Sequence, residues 1–264
     1  MPEGSVYAHL LRVKNEKGGG LLVLIDPDRT DESACLSLAE AAASCGVDGL
    51  LVGTSFMLNT NFREMVKKIR SAVAGSVDDD GARVPVIIFP GSAAQIAPDA
   101  DAILFTSLIS GRNPAFLIDE QVKGAPLIKR FGIEPIPTGY MLIESGPLTS
   151  VQYISGTLPI PRAKADIACA HALAAQYLGM RLIYLEAGSG AELPVPVEMV
   201  QQVTSYVEIP VIVGGGLKSP RDCAERVAAG ASFVVVGNGL EGDWNLGFLS
   251  ELSAAVHTNI SVTA

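Results

Sequence analysis

Short runs of unbroken hydrophobicity recur along this chain: LLVLIDP from residue 21, GLLVGT from 49, PVIIFP from 85, AILFTSL from 102, EPIPTGYMLIE from 134, RLIYLEA from 181, PVIVGGG from 210 and FVVVGNG from 233. Each is rich in Val, Ile or Leu and bounded by Gly, Pro, Ser or an acid, the pattern of a strand. Between most of them the apolar residues recur with helical spacing, in DESACLSLAEAAASCG, NFREMVKKIRSAV, IPRAKADIACAHALAAQYLG, PVEMVQQVTSYV and SPRDCAERVAAG, with NLGFLSELSAAVH closing the series. Strands that alternate with helices and are apolar on both faces predict a parallel sheet covered on both sides.

Eight such units in 264 residues predict the α/β class and an eightfold parallel (βα) TIM barrel, a single domain spanning 1–264. An open doubly wound sheet fits less well, because no GxGxxG follows the first strand. The connection GSAAQIAPDAD after strand three is broken by Gly91 and Pro98 and too short for a full covering helix. The third helix is therefore expected to be reduced, leaving a groove in that wall. The acidic stretch SVDDDGARV, 76–84, reads as a solvated loop.

Composition narrows the partners. A net charge of −9 without any Lys/Arg cluster excludes a nucleic-acid surface, which needs cations to displace counterions. A small-molecule or protein partner remains. Mean hydropathy of +0.35 is high and points to buried parallel strands and to an apolar groove or homo-oligomer interface. Cys35, Cys45, Cys169 and Cys223 stand alone, with no CxxC pair, and read as reduced, buried fillers. The N-terminal stretch lacks a signal-peptide core, and no window reaches the roughly 20 apolar residues of a membrane span. A cytoplasmic protein without a transmembrane segment is expected.

In a TIM barrel the loops after the strands converge on one mouth, so polar residues at the C-terminal strand ends are the candidates for chemistry. Here these are Asp26 and Asp28, Gly53 to Ser55, Ser107, Tyr140, Glu186 to Gly190, Gly214 to Gly216, and Gly237 with Asn238. Glycine turns after strands seven and eight predict a phosphate cradle of backbone N–H groups. Asp26 suits a general base, a helix N-cap or a ligand for a hard cation such as magnesium, with Ser55 as a second oxygen donor. Asp28 or Asp31 suits a helix N-cap. Glu186 suits hydrogen bonding to ligand hydroxyls or proton abstraction, or else a buried ion pair with a lysine. His9, His171 and His257 lie away from the strand ends and read as surface or packing residues.

The set LIDPD, VGTS, GYMLIESG, YLEAGSG, VGGG and VGNG, in this order across roughly 20–240, resembles the geranylgeranylglyceryl phosphate synthases and related prenylglyceryl phosphate synthases. The resemblance implies a magnesium-dependent prenyltransferase that joins sn-glycerol 1-phosphate to a polyprenyl diphosphate. It implies Asp26 and Ser55 as metal ligands, and Glu186 and Asp26 as catalytic residues. It implies Tyr184, Leu185, Glu186, Ala187, Gly188, Ser189, Gly190, Gly215, Gly216, Gly237 and Asn238 as substrate-binding, with Tyr140 beside them. In that chemistry Ser107, Ser110, Arg112 and Asn113 would offer donors to the diphosphate, Arg112 foremost because its fork matches phosphate oxygens. The prenyl tail would lie in the groove after strand three, within reach of Ala94, with transient membrane contact on product release. Part of the family carries a lysine two residues before the strand-one aspartate; here Leu24 stands there. Two other readings stay open: another phosphate-binding barrel enzyme, such as a sugar-phosphate isomerase or cyclase, and a barrel that binds a phosphorylated ligand without catalysis. The first usually needs an opposed acid/base pair at strands one and five, and strand five supplies Tyr140 instead.

Overall fold

The fold is taken from a computed structural model, which describes residues 5–58, 61–77, 83–240 and 244–258. Eight strands form: β1 (Gly20–Ile25), β2 (Gly49–Val52), β3 (Val86–Ile88), β4 (Ala102–Leu108), β5 (Glu134–Leu142), β6 (Leu182–Glu186), β7 (Val211–Gly214) and β8 (Phe233–Val236). They close into one barrel in sequence order, and β1 pairs in parallel with both β2 and β8. The expected eightfold barrel is the observed one.

Along each strand successive side chains alternate between the barrel interior and the helix layer. Leu22, Leu51, Ile87, Leu104, Ile136, Tyr184, Ile212 and Phe233 fill the interior. Leu21, Val23 and Ile25 turn outward into one helix-facing cluster, and Ile183 and Leu185 into another. Both sets are apolar, which is why the strands read as unbroken hydrophobic runs.

The helices that cover them are α1 (Ser5–Lys17), α2 (Glu32–Ser44), α3 (Phe62–Ala72), α4 (Glu120–Phe131), α5 (Ser150–Ser155), α6 (Ala165–Tyr177), α7 (Val197–Tyr206), α8 (Pro220–Ala228) and α9 (Leu246–Val256). Helix α1 had no counterpart in the sequence pattern. It plugs the bottom of the barrel, with Val6, Tyr7, Leu10 and Val13 packed on the interior core. Glu134 at the start of β5 accepts hydrogen bonds from the N–H groups of Val6 (2.8 Å) and Tyr7 (3.0 Å), holding the first turn of that helix in place. Helix α4 also escaped the pattern, because Gly124 and Pro126 interrupt it and a π-helical turn, Ala115–Asp119, precedes it. Of the companion acids, Asp31 caps α2 through the Ala34 N–H at 2.9 Å, whereas Asp28 accepts from the Leu58 N–H at 2.8 Å.

Among the described residues no helix forms between β3 and β4, where a reduced one was expected. The buried Gln95 stands in for one: its amide donates to the Thr54 carbonyl at 2.8 Å and accepts from the Thr54 N–H at 3.2 Å, fastening the β3 loop to the β2 loop. Of the acidic stretch 76–84, residues 78–82 lie outside the described residues; Arg83 at its end pairs with Asp101 at 2.8 Å.

Candidate active site

A cavity of about 420 Å³ opens at the C-terminal ends of the strands. Its wall changes character from one side to the other. Around β1, β2 and β6 to β8 it is polar, with Asp26, Thr54, Ser55, Glu186 and Ser189 beside the glycine turns. Beneath the missing third helix it is apolar, lined by Ala93, Ile96, Ile103, Phe105, Phe116 and Ile128. Phe89, Tyr140 and Tyr184 sit between the two parts: Phe89 stacks on Tyr184 with centroids 4.9 Å apart, and Tyr140 meets both rings edge-on.

Glu186 is the last residue of β6 and is almost fully buried, 5% exposed. Its parity with Tyr184 turns it inward. The Gly188 N–H donates to Oε1 at 2.6 Å, and the hydroxyls of Tyr184 and Tyr140 also donate to the carboxylate. No lysine is among these partners, so the ion-pair reading of Glu186 is set aside. Burial pushes its pKa up to about 7, against the opposing pull of these three donors. Burial, followed by the charge of Glu186, raises the pKa of both tyrosines well above the usual phenol value, so they stay protonated donors. A carboxylate has about four acceptor sites, so its neighbours leave it room to accept from a ligand hydroxyl.

The turn after β7 makes this possible. Gly215 and Gly216 both have left-handed φ, +82° and +71°, and a Cβ on Gly215 would collide with Glu186 Oε1. Consecutive residues of this kind leave a concave run of backbone suited to an anion. The turn after β8 lies against it: a Cβ on Gly239 would sit 3.5 Å from the Leu217 carbonyl oxygen.

Asp26, at the end of β1, has Oδ1 engaged by the Asp28 N–H at 3.0 Å and Oδ2 facing Arg29 Nε at 3.6 Å. Burial raises its pKa, only partly offset by the Asp28 N–H, the Thr54 hydroxyl and Arg29. With Ser55 and Thr54 on the same wall, the donor set consists of hard oxygens. No cluster of three or more His, Cys, Asp or Glu suited to a metal occurs among the described residues. One carboxylate with hydroxyl oxygens beside it is donor chemistry that fits a hard cation such as magnesium, which keeps several waters and takes few protein ligands.

The sequence-predicted residues divide clearly. Asp26, Ser55, Tyr140, Tyr184, Glu186, Ser189, Gly190, Gly215, Gly216 and Gly237 line the cavity together. Leu185 does not, because strand parity sends its side chain into the helix-facing core, and Ala187 packs in that same core. Gly188 contributes its N–H to Glu186 rather than a cavity wall. Asn238 opens a short 3-10 turn, and its side chain lies outside the described residues. Arg112 is a correction: it is exposed, outside the cavity, and donates to the carbonyls of its own loop, at 2.7 Å to Gly111. Its neighbours are likewise committed within the fold, Ser107 to the Leu117 carbonyl (2.7 Å), Asn113 to the Ser155 carbonyl (3.0 Å), and Ser110 as acceptor from the Leu142 N–H (3.0 Å). Ala94 is exposed and Ala93 lines the groove in its place. Phe89, Glu120, Gln121 and Lys218 also line the cavity and were missed. For Lys218 a signal existed, since it follows the VGGG turn by two residues.

A closed parallel barrel with a carboxylate, paired glycine turns and an apolar trough at one mouth defines a TIM-barrel enzyme site for a ligand that is anionic at one end and greasy at the other. A family comparison gives the narrower statement. Residues 11–254 match the PcrB family, and the chain belongs to it. It is 45% identical over 234 residues to a geranylgeranylglyceryl phosphate synthase of Spirosoma linguale, covering 89% of this chain and 90% of that one. With the enzyme of the same name from Pyrococcus horikoshii the identity is 45% over 228 residues, 86% of each chain. Among solved structures, (S)-3-O-geranylgeranylglyceryl phosphate synthase from Thermoplasma acidophilum, in complex with its substrate sn-glycerol-1-phosphate, superposes with a TM-score of 0.85 at 33% identity, covering 96% of this chain and 98% of that one.

Proposed function

We propose that this protein transfers a polyprenyl group from its diphosphate to the hydroxyl of sn-glycerol 1-phosphate, forming an ether and releasing diphosphate. One observation carries the reading: a buried carboxylate that lines the cavity, Glu186, stands at the junction of a glycine-turn anion cradle and an apolar trough. An isomerase or cyclase would have no use for the trough, and a simple phosphate binder none for the carboxylate.

The glycerol phosphate sits with its phosphate on the backbone of the turns at Gly215, Gly216, Gly237 and Asn238, with Ser189 and Gly190 closing over it. Its hydroxyl donates to Glu186, which is in turn held by the hydroxyls of Tyr140 and Tyr184. The prenyl tail lies in the trough along Ala93, Ile96 and Phe116, which keeps water from the reacting carbon. The hydroxyl oxygen bonds to C1 of the prenyl chain as the C1–O bond to diphosphate breaks, and Glu186 takes the hydroxyl proton. Asp26 and Ser55 would hold magnesium, which when bound neutralises charge on the departing diphosphate. Arg29, beside Asp26, offsets part of the rise that burial gives that carboxyl's pKa.

Exposed apolar side chains stand in the segments that follow β2, β4 and β5, among them Phe56, Leu58, Ile118, Leu148 and Leu158. They support transient contact with a membrane surface when the lipid-like product leaves, and Tyr177 and Leu178, also exposed, support self-association into a homo-oligomer. The central test is to incubate the protein with sn-glycerol 1-phosphate, magnesium and prenyl diphosphates of several lengths, and to extract the products for mass spectrometry. A prenyl glycerol phosphate ether is expected. Calorimetric uptake of glycerol phosphate with no ether formed would identify a non-catalytic binder instead.

A further inference from the structure

We propose that Lys218 is the side chain that recognises the phosphate of the glycerol phosphate acceptor; the assignment rests on the reading of the cavity as a prenyl-transfer site. The charge of the wall demands such a residue. Among the described residues that line the cavity, three are acids, Asp26, Glu120 and Glu186, and one, Lys218, is a cation. A site with this balance repels phosphate esters unless positive charge is held where the phosphate enters. Two of the acids are already matched, Asp26 by Arg29 at 3.6 Å and Glu120 by Lys123 at 2.7 Å. Lys218 is exposed, and among the described residues its ammonium has neither an ion pair nor a hydrogen bond.

Position decides which anion it serves. Lys218 leaves the Gly214–Gly216 turn two residues on and immediately precedes Ser219, the N-cap of α8. Its Cα lies 3.9 Å from where a Cβ on Gly239 would stand, so it rises from the seam between the two glycine turns. The same turn touches Glu186 through Gly215, so the backbone that carries Lys218 belongs to the side of the cavity where the acceptor hydroxyl would sit. Strand one offers no competing cation. Leu24 packs against Gly237, whose Cβ would stand 3.2 Å from it. A lysine is a compact charge on a flexible stem, suited to a phosphate already fixed by backbone donors.

The test compares Lys218→Met and Lys218→Arg with the unaltered protein. Steady-state kinetics give KM for each substrate and kcat, and calorimetry gives the Kd of sn-glycerol 1-phosphate in the absence of prenyl diphosphate. The Met variant should raise KM and Kd for glycerol phosphate about 10- to 100-fold, the worth of one charge-assisted hydrogen bond. KM for prenyl diphosphate, kcat at saturation and the thermal midpoint should hold, and Arg should restore most of the loss. Unchanged glycerol phosphate affinity in the Met variant, or a loss confined to prenyl diphosphate, would overturn the assignment. An unaltered protein that binds glycerol phosphate without forming ether, and loses that binding on Lys218→Met, would remove prenyl transfer and leave Lys218 as the phosphate contact.

Discussion

At the scale of the residue, Glu186 unites stability and chemistry in one titration. Its carboxyl has a pKa of about 7 in the fold against 4.5 ordinarily, with burial the main cause. For an acid raised in this way, the stability linked to its proton is fully present below pH 4.5 and is lost as pH rises through 7. The ligand-free protein should thus lose on the order of 3 kcal/mol between those limits, read as unfolding free energy against pH. Activity runs the other way, since only the ionised carboxylate accepts the hydroxyl proton. We expect kcat/KM for glycerol phosphate to rise with an apparent pKa near 7, and Glu186→Gln to flatten both profiles while lowering kcat/KM by roughly 30- to 1000-fold. A Gln variant that kept the rising limb would assign it to another group. Asp26 makes a sharper case, because its carboxylate is partly buried and that burial is only partly compensated. Asp26→Asn should leave the thermal midpoint unchanged or higher yet cut turnover by about 100-fold or more and weaken its dependence on magnesium. Full activity with the usual magnesium response would release Asp26 from the metal.

At the scale of the element, the strands were legible because burial on both faces leaves a hydrophobic run that no solvent-facing pattern interrupts. That continuity also hid parity: nothing in YLE says which of Tyr184, Leu185 and Glu186 faces the ligand until the pairing of β6 with β5 and β7 fixes it. Helix α4 was illegible for a local reason, Gly124 and Pro126 inside twelve residues, and the sequence alone could not show that this glycine is where α4 crosses the β3 loop. A Cβ on Gly124 would stand 3.0 Å from Ile96 Cδ1, and both residues line the trough. Arg112 looked like a diphosphate clamp because its type suits the task; its loop turns it outward to its own carbonyls instead. The argument from Gly124 yields a prediction: Gly124→Leu fills the trough from the helix side and should shorten the longest prenyl chain accepted by at least one isoprene unit. Removing an interior glycine from a helix also favours folding by about 0.5–1 kcal/mol, which offsets the displacement of Ile96. Product lengths measured over a series of prenyl diphosphates check this, and an unchanged profile would put the tail elsewhere.

At the scale of the whole molecule, the barrel separates its fastening from its chemistry. Barrel enzymes carry reactivity at the C-terminal mouth, and the opposite face serves stability. Here that face is drawn together by Asp48, just before β2, 2% exposed. Its carboxylate accepts from the Leu21 N–H, Lys17 Nζ and His257 Nε2, each at 2.8 Å, so α1, β1 and the residue after α9 all meet on one side chain. His9 adds a contact to the Asp48 carbonyl at 2.9 Å. Burial alone would raise the pKa of Asp48, but the hydrogen bonds and charges of His257 and Lys17 together outweigh it, and the pKa is lowered. The sign is therefore opposite to that of Glu186: this stability is present above the ordinary carboxylate value of 3.8 and is lost as pH falls through the lowered one. The ligand-free chain should be most stable in a window bounded by Asp48 on the acid side and Glu186 on the neutral side. Asp48→Asn keeps an acceptor for Leu21 but leaves Lys17 and His257 without their counter-charge, at a cost of about 2–4 kcal/mol in denaturant unfolding. Because none of these groups lines the cavity, kcat and both KM values should stay within about twofold at a temperature where the variant is folded. A loss of activity in step with stability at that temperature would show that the bottom of the barrel shapes the mouth, and the division of labour between the two faces would fail.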